Sequence, residues 1–308
     1  MENVFEVTSS NKRKSFLVAF FFMVFVAVAV YFISSAMSYY WGYEASGLGI
    51  FGIALIVSGL TTFFGYYFSD SIVLSISNAR PAQRDKDFLF YTVAENLSLA
   101  AGIPKPKLYV IEDSAPNAFA TGRSPDKAVV CATRGLLDKL NRTELEGVIA
   151  HELSHIRNYD TLLMSIVSVL IGSLSLLADF FLRGRIYGRR GRNEGDNYSG
   201  LFLILGILFA ILSPFIAQLI QLAISRRREF LADSSAVLIT KQPSGLISAL
   251  KKISSDHEPL EVANKATAHL FIVNPFKERK HGVVDWFSGL FNTHPPIEER
   301  IKSLEKML

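Results

Sequence analysis

The residues His151-Glu152-Leu153-Ser154-His155 combine two imidazoles and a carboxylate at a spacing with a chemical use. On an α-helix, side chains four apart stack on one face, so both histidines can reach a single Zn2+ at about 2.0–2.1 Å. Glu152 projects beside them, where it can take a proton from water at the metal and later pass it to a leaving amine. The helix has a readable start: Thr143 can cap it, with Glu146 completing a Ser/Thr-x-x-Glu box.

Catalytic zinc takes three protein ligands and keeps one position open. A third histidine close in sequence would need a Gly three residues after His155 and a His three beyond that. Asn158 and Thr161 stand in those places and exclude that class. A glutamate from a separate helix is the other usual solution, and Glu229 is the best candidate, with Asp160, Glu258 and Glu261 as weaker ones. Glu229 opens the run Glu229-Phe-Leu-Ala-Asp233, which puts Asp233 one helical turn on, able to orient a ligating histidine.

The elements that must position these residues belong to an apolar chain. Of 308 residues, 50% are hydrophobic, 24 are Phe and only 19% are charged, against about a quarter charged in a typical soluble protein. The apolar residues sit in blocks, which excludes a disordered chain and an ordinary water-soluble enzyme. Four stretches reach the roughly 20 residues that a helix needs to cross a bilayer: Ser15–Ser34, Gly47–Phe68, Thr161–Leu182 and Leu201–Leu222. Asp179 is the one formal charge among them. The first stretch exceeds the roughly 7–15 apolar residues of a signal peptide and reads as a retained anchor.

Lys12, Arg13 and Lys14 precede the first pair of stretches, and Arg80, Arg84 and Lys86 follow it, while the link Ser35–Ser46 has no Lys or Arg. The positive-inside rule then places both flanks in the cytoplasm. The second pair is ambiguous, because Arg183, Arg185, Arg189, Arg190 and Arg192 crowd its loop and Arg226, Arg227 and Arg228 follow it. Either that loop is translocated against the rule, or the hairpin is bent, re-entrant or packed on protein. Cys131 is the single cysteine, so there is no internal disulfide and no cysteine-based metal cluster. A net charge of +4 fits basic flanks at anionic headgroups and calls for no nucleic acid.

Between the hairpins, residues 69–160 have the turn residues and charge of a soluble fold. Asp87–Ala101 reads as a helix stopped by Gly102 and Pro104, and Lys107–Ile111 and Ala128–Ala132 as short strands. A helical region follows the fourth stretch. Pro295 and Pro296 suit the first turn of a last helix, on which Ile297, Ile301, Leu304 and Leu308 share one face. The expected divisions are therefore 1–68 (first hairpin), 69–160 (first part of the soluble domain), 161–222 (second hairpin) and 223–308 (its remainder).

Four segments in this order resemble the HtpX-type membrane zinc metalloproteases, relatives of the CAAX prenyl proteases: Pro116-Asn-Ala-Phe-Ala-Thr-Gly122, Gly147-Val-Ile-Ala-His-Glu-Leu-Ser-His-Ile156, Arg227-Arg-Glu-Phe-Leu-Ala-Asp233 and Thr293-His-Pro-Pro296. The resemblance covers nearly the whole chain. It implies a mainly α membrane protein, two transmembrane hairpins plus a cytoplasmic α+β zincin-like protease domain with a small edge-strand sheet. It implies one zinc ion on His151, His155 and Glu229, Glu152 as general base and acid, and Asp233 in support. Asn117, Ala118, Phe119 and Ala120 would form an edge strand to which an extended substrate adds, and His294 would face the cleft as a donor to the oxyanion.

The resemblance further implies a multi-pass protein of the cell membrane, with its active site facing the cytoplasm and protein substrates, misfolded or damaged membrane proteins among them. Ser154 stands where the prenyl-protease relatives usually have Gly; it is small and points away from the metal face. The competing readings are a prenyl-peptide protease, for which four membrane segments are too few, and a non-enzymatic scaffold or transporter with an incidental motif. His257, His269 and His281 lack ligand spacing and are expected at the surface or in loops, Cys131 in the core, and Trp286, Phe287, Leu290 and Phe291 in a membrane-surface patch or the core.

Overall fold

Helix formation around the motif begins at Asn141. In the computed structural model, which describes residues 4–41, 47–169, 226–263, 267–275 and 295–308, helix α6 spans Arg142–Arg157. The Asn141 side chain accepts from the Glu144 N–H at 3.0 Å, and Glu144 returns the bond to the Asn141 N–H at 2.9 Å. This capping box lies two residues before the expected Thr143–Glu146 pairing. The reason is tertiary: Glu144 is also held by Ser248 Oγ at 2.6 Å and Lys252 Nζ at 2.7 Å, whereas Glu146 pairs with Arg142 one turn back on its own helix.

Preceding elements are α1 (Val4–Trp41), α2 (Gly47–Tyr67), α3 (Ser69–Ile76), β1 (Arg80–Pro81), α4 (Phe88–Ala101), β2 (Lys107–Ile111), β3 (Ala118–Thr121), β4 (Val129–Thr133) and α5 (Arg134–Lys139). Later come α7 (Arg226–Thr240), α8 (Pro243–Ser255) and α9 (Ile297–Glu305), with residues 160–169 also helical. The sheet order is β1-β2-β4-β3, with β2 and β4 parallel and the other pairings antiparallel. β2 has the expected bounds; β4 lies one residue later than expected. β3 begins at Ala118 and lies at one edge of the sheet, with β4 its only neighbouring strand among the described residues. The left-handed Gly102 closes α4 (φ 67°), a conformation that costs glycine little.

The helix that carries the His-Glu-x-x-His motif is the centre of the core. Leu145, Val148, Ile149, Leu153 and Ile156 of α6 are all fully buried. They pack with Phe90, Val93 and Leu97 of α4, the alanines of β3 and β4, and Leu246, Leu250 and Ile253 of α8. Cys131 lies buried on β4, as expected. Close approach of α6 to α8 requires Gly147, because a Cβ there would stand 2.7 Å from the Leu246 nitrogen.

Several expectations are corrected here. α9 starts at Ile297, so Pro295 and Pro296 precede its first turn. Ile297, Ile301 and Leu304 face the core, but Leu308 is exposed, and Arg300 is the buried side chain on that face instead. His269 is buried rather than at the surface, its Nε2 lying 3.2 Å from both Ser168 Oγ and the Met164 carbonyl, because the 3-10 turn Ala268–Leu270 tucks against residues 160–169. His257 is exposed, as expected.

α1 and α2 form an antiparallel pair covering the first two apolar stretches. Taken over the described residues, no helix is long and apolar enough to cross a membrane. The pair nevertheless exposes Phe16, Phe21, Ile56, Leu60, Phe63 and Phe64, while Val18 and Phe22 are buried. Of the second hairpin only 161–169 is described; the rest of 161–222, with the Arg-rich loop, lies outside the described residues, as do His281, Trp286, Phe287, Leu290, Phe291 and His294.

Gly147→Ala should push α6 and α8 apart and destabilise the fold by about 1–3 kcal/mol, the usual cost of overpacking. Denaturant melting of the metal-free protein in detergent checks this, and an unchanged midpoint would contradict the packing described.

Candidate metal centre

One face of α6 presents His151 and His155, both buried, with their rings edge to face and centroids 4.7 Å apart. α7 crosses this face and delivers Glu229, also buried. The two Nε2 atoms are 3.2 Å apart, and Glu229 carboxylate oxygens lie 3.7 Å from His151 Nε2 and 3.5 Å from His155 Nε2. A tetrahedral ion with ligands at about 2.0–2.1 Å has ligand–ligand edges of roughly 3.3–3.4 Å. The triangle formed by the three residues therefore matches a metal's needs, and these three form a potential metal-holding cluster among the described residues.

The opposite nitrogens explain why the Nε2 atoms converge. His151 Nδ1 lies 2.9 Å from Asp233 Oδ1, and His155 Nδ1 lies 3.0 Å from Asp160 Oδ2. A neutral imidazole carries one N–H; donated from Nδ1 to a carboxylate, it leaves the Nε2 lone pair for a metal. Asp160, a weaker ligand candidate in the sequence, thus stands behind a histidine rather than on the metal. Glu258 and Glu261 are exposed and stay outside the cluster.

Arg300 is the residue that sequence reasoning missed. Its fully buried guanidinium donates to both oxygens of Asp233, at 2.9 and 2.7 Å, and lies 3.6 Å from Glu229. A signal was available: Arg300 lies on the same helical face as Ile297, Ile301 and Leu304, and a charge inside an apolar stripe needs a buried partner. Burial raises the Asp233 pKa, but Arg300 and His151 outweigh it and hold the carboxyl down at about 2.

Without a metal, the charges compensate one another. His151 is depressed to about 4, by burial first and then by Arg300. Burial also opposes charge on His155, yet Asp160, Glu229 and Glu152 together raise it to about 9. Glu152 is raised to about 7, chiefly by burial, with Glu229 adding to it and His155, Arg300 and the Ala120 N–H opposing.

That Ala120 N–H shows how the edge strand meets the site. β3 directs Ala120 at Glu152, while its other end is already engaged: the Ile272 N–H donates to the Ala118 carbonyl at 2.9 Å. The Asn117 side chain donates to the Val273 carbonyl at 2.9 Å, and Phe119 turns into a buried edge-to-face pair with Phe271. The Ser154 hydroxyl is tied back along its own helix, donating to the Ala150 carbonyl at 2.8 Å.

Comparison with known proteins agrees with this chemistry. Residues 90–308 match the model of peptidase family M48. The chain is 44% identical over 306 residues to a protease HtpX homolog of Dictyoglomus turgidum, covering 98% of this chain and 94% of that protein. It is 47% identical over 269 residues to a homolog of the same name in Pyrococcus furiosus, covering 86% and 89% of the two chains. A third, from Listeria monocytogenes, is 39% identical and covers 99% of this chain and all of its own. The crystal structure of S. mikatae Ste24p aligns with a TM-score of 0.49 at 18% identity, covering 98% of this chain and 67% of that one.

Two outcomes are expected. Since His155 carries a proton below about pH 9 in the metal-free site, a metal must expel it. Metal binding at neutral pH should release about one proton, and affinity should tighten about tenfold per pH unit towards pH 9. Calorimetry in buffers of different ionisation enthalpy reads the proton directly. Arg300→Leu leaves Asp233 buried without its cation and should cost about 3–5 kcal/mol, measured by denaturation.

Proposed function

We propose, from the premise that this chain belongs to peptidase family M48, that it is a membrane-bound zinc metalloendopeptidase of the HtpX type. The observation that carries the proposal is the convergence of His151 Nε2, His155 Nε2 and the Glu229 carboxylate, with both Nδ1 atoms committed to carboxylates behind. Two imidazoles and one carboxylate are a characteristic donor set for catalytic zinc, which distinguishes it from the oxygen-only sets of magnesium or calcium. Bound there, zinc would supply a Lewis acid and a nucleophilic water at neutral pH.

The protein's own residues would then divide the work. Glu152 would take the proton of the attacking water and return it to the leaving amine. A carboxyl whose burial pushes it to about 7 in the metal-free site is suited to holding a proton between those steps. Asp233 and Asp160 would keep the imidazoles in the ligating tautomer. Of the expected edge residues Asn117, Ala118, Phe119 and Ala120, the first three are taken up by Ile272, Val273 and Phe271, so an extended substrate would pair from Ala120, and His294 would donate to the developing oxyanion. No acyl-enzyme is needed, because water is the nucleophile.

Embedding in a bilayer is supported by the uncharged stretches 15–34 and 47–68 and by the apolar side chains that α1 and α2 turn outward. The basic flanks Lys12–Lys14 and Arg80, Arg84 and Lys86 support an active site on the cytoplasmic side of the cell membrane. Pairing to main chain reads a peptide regardless of its side chains, which suits substrates defined by being unfolded, such as misfolded or damaged membrane proteins. The lipid bilayer and such proteins are the expected partners.

The test is zinc-dependent cleavage of an unfolded protein in detergent, starting from metal-free enzyme. Wild type should cut once zinc is restored. Glu152→Gln should bind zinc as well as wild type and lose about 10²–10⁴-fold in kcat, the range for removing a general acid–base group. Equal cutting by both proteins would remove Glu152 from the mechanism, and absence of zinc binding would end the metallopeptidase reading.

A further inference from the structure

A buried asparagine on the first helix touches the metal centre's support. Asn11 belongs to the polar run Ser9-Ser10-Asn11-Lys12-Arg13-Lys14 ahead of the first apolar stretch, where nothing in the sequence calls for burial. Yet it is 1% exposed, and a buried amide needs partners for its N–H groups. Asn11 Nδ2 donates to the Asn158 carbonyl at 2.9 Å and to Asp160 Oδ1 at 2.8 Å. Both acceptors lie just after α6, Asn158 in the turn and Asp160 at the start of the helical stretch 160–169.

Asp160 is itself 1% exposed, and its two oxygens face different ways. Oδ2 is 3.0 Å from His155 Nδ1, while Oδ1 receives Asn11 and, at a long 3.4 Å, Arg228 Nη1. The helix docks at a second point one residue on, where the Lys12 ammonium sits 4.1 Å above the Tyr159 ring, and Tyr159 has a left-handed φ of 60°. The Asn11 carbonyl is fixed in turn by the Ser15 hydroxyl at 2.9 Å.

We infer that Asn11 is a positioning residue for the metal centre, holding Asp160 and through it the imidazole of His155, so that retention of the metal depends on docking of the N-terminal helix. The inference rests on the metallopeptidase reading above. Two hydrogen bonds connect Asn11 to the ring that must present Nε2. Without the amide, Asp160 keeps one distant cation on Oδ1 and can turn, and the ring it orients loses an angular restraint. Groups that hold a ligating histidine from behind change metal affinity about 10–100-fold when removed. The first helix would then be part of the active site as well as an anchor, and its displacement would loosen the metal.

The experiment uses the full chain in detergent, made metal-free, with zinc affinity read by competition against a chromogenic chelator and site geometry by the absorption bands of cobalt(II). Asn11→Leu, of similar volume but without donors, should weaken zinc about tenfold and shift the cobalt bands. Asn11→Gln, which keeps the donors, should recover most of the loss, and Lys12→Ala should stay within about twofold of wild type. The decisive comparison is in an Asp160→Asn background, where Asn11→Leu should add less than about twofold, because its route to His155 is already broken.

Zinc affinity of Asn11→Leu equal to wild type would overturn the inference. So would an undiminished loss in the Asp160→Asn background, or an equal loss from Lys12→Ala, which would assign the effect to helix docking at large. Should Asn11→Leu fail to fold, Asn11→Ser, too short to reach Asp160, takes its place in the same cycle. Wild type that binds no zinc would sink the metallopeptidase reading and this inference together, whereas wild type that binds zinc beside unaffected Asn11 variants overturns this inference alone.

Discussion

Two imidazole nitrogens 3.2 Å apart, on rings each held from behind by a carboxylate at Nδ1, impose the constraint that organises the fold around α6. Two ring nitrogens this close need a positive charge between them, which is the proton that the carboxylates favour on His155 in the metal-free site or a metal ion in its place. Holding the rings so requires Asp233 from α7 and Asp160 from just after α6, and Asp233 in turn requires Arg300 from the last helix. Three segments far apart in sequence therefore converge on one face of one helix. The packing of α6 against α4, α8 and the sheet is what makes that face rigid enough to receive them.

The charge balance of the buried cluster points the same way. Four carboxylates surround the site, Glu152, Asp160, Glu229 and Asp233, and two guanidiniums oppose them, Arg228 and Arg300. Four negative against two positive leaves two negative charges in a region sheltered from water, which a divalent cation cancels. Uncompensated buried charge is costly, and groups change protonation to avoid it. The metal-free site does so: His155 is driven up to about 9 and Glu152 to about 7. Protons there do part of the work of the ion, so binding a metal should release one.

Local features carried the legible part of the sequence. The His151/His155 spacing equals a helical turn, Glu229 and Asp233 repeat that spacing, and the β-rich run Lys107–Ile111 formed a strand with the bounds that periodicity suggests. What sequence could not supply was decided by partners distant along the chain. Asn141 took the cap from Thr143 because Lys252 and Ser248 hold Glu144 from another helix. His269 was buried by a turn folding under residues 160–169, Leu308 is exposed because the helix ends at Glu305, and Arg300 is buried because Asp233 waits there. Asp160 fell between: its chemistry was visible and its role was not, since a carboxylate near a histidine can ligate the metal or stand behind the ring.

Arg300 also couples the metal centre to the edge strand. Beyond Asp233, its Nη1 donates to the Ile272 carbonyl at 3.1 Å, and the Ile272 N–H closes onto the Ala118 carbonyl of β3. With the Asn117 side chain bound to Val273, the first half of the outer edge is filled by the protein's own chain. Phe271 and Ile272 are buried in the core, so this filling is part of the fold. On the proposed reading an extended substrate would begin pairing at Ala120, beside Glu152, and could not slide further towards Asn117. The stop and the support of His151 depend on one guanidinium, so the register of a bound peptide and the orientation of a metal ligand would be set by the same side chain.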